Sequence, residues 1–200
     1  MRFRMMMAGC VLGLVSMTAM AQGGKNQGPP AGTIVDPVKA YDSQLNIVES
    51  EMLGVVKAMP AEKYGFAPSA AIFVPGQTVI FDKVRTFAEQ ATHVAQANYS
   101  FAAAISGVKP DVDVAAIGKM TNKEDVVAAL AGSYASMHKA IGTLTVANAF
   151  EVIKTQEPGL QTRGTLVAFT VGHCFDHYGQ MVEYLRMNGL VPGGGGPPAK

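Results

Sequence analysis

Residues 162 to 188 read TRGTLVAFTVGHCFDHYGQMVEYLRMN, and the spacing of their apolar members decides the fold class. At about 100 degrees per residue, Val167, Val171, Cys174, Tyr178, Met181, Val182 and Leu185 gather on one face of a helix. A strand would scatter the same residues over both faces of a sheet. Asn188-Gly189 followed by Pro192 supplies the stop. A quarter-turn from the apolar face lies a second stripe of Thr170, His173, His177, Gln180 and Tyr184. That stripe is too polar for a core and too regular for random surface, and it reads as the lining of a cleft.

Three more segments upstream carry the same period. The first runs from Asp36 to Ala58, opened by an Asp-Pro cap, with Val38, Tyr41, Leu45, Val48, Met52 and Val55 or Val56 as its stripe. Pro60, Gly65, Pro68, Pro75 and Gly76 then enforce a long connection holding Tyr64, Phe66 and Phe73. The second segment, about Phe81 to Ser106, presents Val84, Phe87, Ala91, Val94, Asn98, Phe101 and Ile105, and ends at Gly107 and Pro110. The third starts at Thr121 with Glu124 three residues on as a capping box, and continues through Val127, Leu130, Met137 and Ile141. Four long helical patterns with few strand signals predict an all-α fold, an antiparallel four-helix bundle over 36–191.

The ends have a different character. Residues 1–21 begin with Arg2 and Arg4, continue through an apolar run from Met5 to Met20 and close on Ala19-Met20-Ala21, the grammar of a cleaved export signal. The run is too short and too mixed for a membrane span. Cys10 precedes most of it, which argues against lipidation at that cysteine. Residues 22–35 read as a flexible linker and 192–200 as a disordered Gly/Pro tail. The expected location is periplasmic or secreted, with no membrane attachment after cleavage. A formal net charge of +1, with no basic run beyond the signal, leaves no electrostatic footprint for nucleic acid. Only Cys174 survives cleavage, so packing rather than an internal disulfide must stabilise the domain. A homodimer stays open.

His173 and His177, four apart on one helix, project from the same face and can reach a common ion. His93 lies away from the Val84-Phe87-Val94 direction of its own segment, so a third imidazole can enter from a neighbouring helix and leave coordination positions open. Gln180 and Tyr184 extend the histidine stripe as substrate contacts. Cys174 points to the core as a small hydrophobe, and His138, without a partner histidine, reads as surface. Asp176 is either an acceptor for an imidazole or a solvated carboxylate; Glu89 is a base at the cleft or, more simply, a hydrogen-bonded helix residue.

Arg85-Thr86-Phe87-Ala88-Glu89-Gln90 leading to His93, then Asn98-Tyr99, the YGFAP at Tyr64 to Pro68 and the HCFDHYGQMVEYLR at His173 to Arg186 resemble the DinB/YfiT-like metal-dependent bundles. The resemblance covers roughly Pro37 to Pro192. It implies a divalent metal (Zn, Ni, Fe or Mn) on His93, His173 and His177, and chemistry of the thiol-dependent S-transferase type on a small molecule. An export signal sits awkwardly with a reduced thiol cofactor. A hydrolase is therefore the second enzymatic reading, and a non-catalytic metal- or ligand-binding module is the alternative. For the signal, N-terminal sequencing of exported protein is expected to start at Gln22; a mass carrying diacylglycerol on Cys10 overturns that cleavage site.

Overall fold

The structure, a computed structural model, describes residues 28–69, 71, 74–77, 84–155, 159 and 161–192. The export segment, Phe73 and residues 193–200 lie outside these. Of a first unit, Met1–Ile34, the described part is an exposed segment with one turn, in which Thr33 N–H donates to the Pro30 carbonyl at 3.1 Å. The rest is helical: α1 (Pro37–Ala58), α2 (Phe87–Ser106), α3 (Val114–Ile117), α4 (Lys123–Ile141) and α5 (Arg163–Met187). Among the described residues, strand-like pairing is confined to one bridge, Val152 with Thr162. No described helix is long and apolar enough to cross a membrane.

Each helix begins where a side chain can answer its orphan N–H groups. Asp36 accepts from Val38 N–H at 2.9 Å ahead of the first-turn proline of α1. Thr86 and Glu89 form a reciprocal capping box, which starts α2 at Phe87 instead of the expected Phe81; residues 84–86 are not helical. For α4 the cap is Asn122, accepting from Glu124 and Asp125 N–H, so the expected Thr121 cap is displaced by one residue. Thr162 caps α5 as its sequence suggests. The four-residue α3 falls in a stretch read as connection; its cue is Asp113, whose carboxylate accepts from Ala115 and Ala116 N–H.

α1 packs against α4 and α5, and α2 against α3, α4 and α5. Leu45, Val48 and Met52 of α1, Phe87, Val94 and Ile105 of α2, Leu130, Met137 and Ile141 of α4, and Leu166, Cys174 and Leu185 of α5 build one continuous core. Contacts between α2 and α5 run in opposite order: Arg163 reaches the Ile105 carbonyl, Phe169 meets Phe101, and Tyr184 reaches the Arg85 carbonyl. Those between α1 and α5 advance together, Tyr41 against Gly164 and Glu51 against Tyr178, so the helices are not all alternately antiparallel. A Cβ on Gly164 would stand 2.6 Å from the Tyr41 hydroxyl and 3.1 Å from the Ala149 carbonyl, which reserves that close approach for glycine.

The buried sector of α5 is rotated from the apolar stripe. Val171 and Tyr178, expected to be largely buried, are only half-buried, whereas Thr170, His177 and Tyr184 of the polar stripe are buried. The helix faces both α1 and α2, and the side turned to α2 is the polar one. In the first connection, Tyr64 is buried, donates to the Val56 carbonyl at 2.7 Å and meets Phe87 edge-on, tying the end of α1 to the start of α2. Lys123 donates to the Lys57 and Met59 carbonyls at 2.7 and 2.8 Å, answering acceptors at the end of α1 and fixing the start of α4.

His138 is not a bare surface group. It is clasped between Asp42 and Glu49 of α1, its Nε2 2.8 Å from the Glu49 carboxylate. Burial alone would lower its pKa; hydrogen bonds to Glu49 and Asp42 outweigh that and raise it above 6.5. A raised folded-state pKa contributes stability below the unfolded value, and that contribution is lost as pH rises through the folded one. His138→Ala is therefore expected to lower stability at pH 6 by about 1 kcal/mol or less, given the partial exposure of the pair. The difference should shrink toward pH 9 in urea titrations, and metal content should not change.

Candidate metal centre

α2 and α5 each contribute one side of the histidine cluster. His93 lies on the second turn of α2, one turn beyond Gln90, and His173 and His177 lie on consecutive turns of α5. One ligand atom from each of the three falls within 4.8 Å of the others. The ring centroids are 5.2 Å apart for His93 and His173, 4.8 Å for His93 and His177, and 4.6 Å for His173 and His177. The Nε2 atoms of His93 and His173 are 3.2 Å apart. Two nitrogens each bound at about 2.1 Å to one ion, at tetrahedral or octahedral angles, stand roughly 3.0 to 3.4 Å apart, so this spacing suits neighbouring ligands. The donor set is three imidazoles without a carboxylate, which fits borderline divalent cations.

Burial and neighbouring charge disfavour the protonated forms of His93 and His177. Burial, then Arg85 and His173, lower the pKa of His93 to about 4. Burial, His173 and His93 do the same for His177, also to about 4, against a smaller opposing effect of Asp176. Neutral imidazole is the form that binds metal.

The orientation of His177 is set by a chain of amides. Its Nδ1 lies 2.6 Å from Gln90 Oε1; Gln90 Nε2 donates to Gln180 Oε1 at 2.8 Å, and Gln180 Nε2 donates to Asp176 Oδ2 at 3.0 Å. Because the Gln90 amide nitrogen is committed to Gln180, its oxygen must accept from His177. The proton therefore sits on Nδ1 and the Nε2 lone pair is left for a ligand role. His173 is held by aromatic rings instead, edge-on to Phe101 at 5.8 Å and nearly parallel to Phe169 at 6.3 Å.

The sequence-derived residues take unequal parts. The three histidines come together. Gln180 enters through the amide chain, and Tyr184, buried, donates to the Arg85 carbonyl at 3.0 Å and packs on Phe66. Asp176 ends the chain on the exposed side. Glu89 is used by the α2 cap, accepting from Thr86 N–H at 2.7 Å. Cys174 is buried, with its thiol pushed up to about 11 by burial, and bonds Asn98. Gln90, Arg85, Phe101 and Phe169 were not singled out as site residues, although Gln90 stands one helical turn before His93 and could have been found by that spacing.

The family model of the DinB superfamily matches residues 44–181, a span holding all three histidines. The crystal structure of a DinB-like protein from Bacillus cereus ATCC 10987 is similar in fold, with a TM-score of 0.62 at 12% identity, over 78% of this chain and 95% of that one. No curated protein matches the sequence.

Gln90→Leu removes the acceptor that orients His177 while preserving bulk. It is expected to weaken zinc affinity by about 10- to 100-fold in chelator competition, with helicity retained. Unchanged affinity would deny Gln90 the orienting role.

Proposed function

Since this chain belongs to the DinB superfamily, we propose that it is an exported, divalent-metal-dependent enzyme acting on a small molecule, with His93, His173 and His177 as the metal ligands. The observation that carries the reading is the convergence of three imidazoles from two helices within 4.8 Å. A divalent ion held there supplies Lewis acidity and lowers the pKa of a bound water or thiol. The chain's own residues hold and orient: Gln90 fixes the proton of His177 on Nδ1, and Phe101 and Phe169 fix the ring of His173. Zinc, nickel, iron and manganese all suit three imidazoles with open positions.

Among the described residues the one thiol, Cys174, is buried in the core with a raised pKa and is unsuited to act as the nucleophile. Residues 1–21, outside the described part, support export, and low-molecular-weight thiols are kept reduced mainly in the cytoplasm. A hydrolase using water is therefore favoured, and thiol-dependent S-transfer is the second reading.

Elemental analysis of the purified mature protein is expected to find close to one divalent ion per chain. His173→Ala and His177→Ala should each lose most of it while keeping the helical circular dichroism of the parent. Metal content that survives both substitutions would remove the centre from these histidines.

A further inference from the structure

Beside His93 and His173, between α2, α5 and residues 154–155, opens a cleft of about 850 Å3, room for a ligand of drug-like size. One wall is aromatic. Phe101 is 6% exposed and meets Phe169 edge-on at 5.6 Å, yet Phe169 keeps 36% of its surface in water. The cleft thus presents a phenyl surface already braced by two neighbouring rings, which a second apolar or aromatic body can cover without further ordering.

Charge narrows the ligand. Besides the two imidazoles, Lys154 is the ionisable group among the described residues lining the cleft, and none of them is a carboxylate. Acids and bases are nearly balanced in the chain as a whole, 15 against 16, so this one-sided lining is a local property. A neighbouring polar group is committed within the fold, Gln96 Nε2 donating to the Val114 carbonyl at 2.8 Å. The recess on the other side of His93, about 390 Å3, carries Arg85 and Glu89 together and makes no such selection.

We propose that the cleft takes a small carboxylate with an aromatic or branched apolar body, the body against Phe169 and Phe101 and the carboxylate at Lys154. Its role as substrate rests on the metal-centre reading above; its binding does not. Lys154, the ammonium among the described lining residues, favours an anionic end over a cationic or neutral one.

The test uses the full mature protein, metal-loaded and chelator-stripped, titrated in a calorimeter with 4-phenylbutyrate, its neutral amide and 4-phenylbutylamine. The carboxylate is expected to bind tightest and the amine weakest in both forms. Lys154→Gln should weaken the carboxylate about fivefold and leave the amide unchanged. Phe169→Ala should weaken all three, by about fivefold or more. Absence of saturable binding, or an order that Lys154→Gln does not alter, overturns the proposal. So does a carboxylate preference confined to the loaded protein, which would belong to the ion. A protein that holds no metal yet shows the expected order sinks the proposed centre and leaves the ligand class standing.

Discussion

The register of α2 against α5 is the constraint on which the site depends. His93 and His173 are 80 residues apart, and nothing local brings them together. What does is a ladder of contacts in which each step forward on α2 is a step back on α5: Arg85 with Tyr184, Gln90 with His177, Asn98 with Cys174, Phe101 with Phe169, Ile105 with Arg163. A slip of one residue would turn a helix by about 100 degrees and carry an imidazole out of reach. The ladder mixes apolar and polar rungs, and the polar ones make it specific. A ring can slide over a ring at modest cost, but Asn98 and Gln90 find their partners in one register only.

Burying the polar stripe of α5 is costly unless every group is answered, and the answers come from within the helix pair. Thr170 returns its hydroxyl to the Leu166 carbonyl at 2.8 Å, Tyr184 spends its hydroxyl on Arg85, and His177 is satisfied by Gln90. His93 and His177 escape the larger cost of a buried charge because burial, with Arg85 at His93 and His173 at His177, disfavours their protonated forms. Between α1 and α4 the same residue type is used in the reverse sense. His138 lies between two carboxylates that raise its pKa, and through them it bridges α1 and α4.

The extent to which the sequence reveals this follows from the range of each interaction. Helix identity and most ends were legible because caps and breakers act within a few residues: Asp36-Pro37, Thr162 and Asn188-Gly189 lie where the helices begin and stop. The start of α2 was misplaced because Val84 continues the apolar period while the Thr86–Glu89 box, a local signal, ends it. The polar stripe of α5 was legible as a stripe but not as buried, since its burial depends on the face that α2 presents. His138 failed in the same way. Its partners, Asp42 and Glu49, sit about ninety residues upstream, and no spacing along the chain announces them. The three histidines were found by the one-turn spacing of His173 and His177 together with a family resemblance, whereas Gln90, which acts only through His177, needed the folded geometry.

The described thiol is kept away from the cleft. Cys174, the one cysteine in the described residues, is packed against Asn98 with a thiol that resists ionisation. Among the residues that line the opening are two histidines, two aromatic rings and a lysine, groups that can bind and orient. Three imidazoles on two helices are compatible with many reactions, so they cannot select among substrates. Selection has to come from the walls, and part of the wall is not helix at all: Lys154 and Thr155 belong to the connection between α4 and α5. That connection is tied to α5 by Ala149 accepting from Gly164 N–H at 2.7 Å, and within itself by Ile153 N–H donating to the Gln161 carbonyl at 3.1 Å. The helix pair therefore sets where an ion can sit, while residues of the connection form part of the wall beside it.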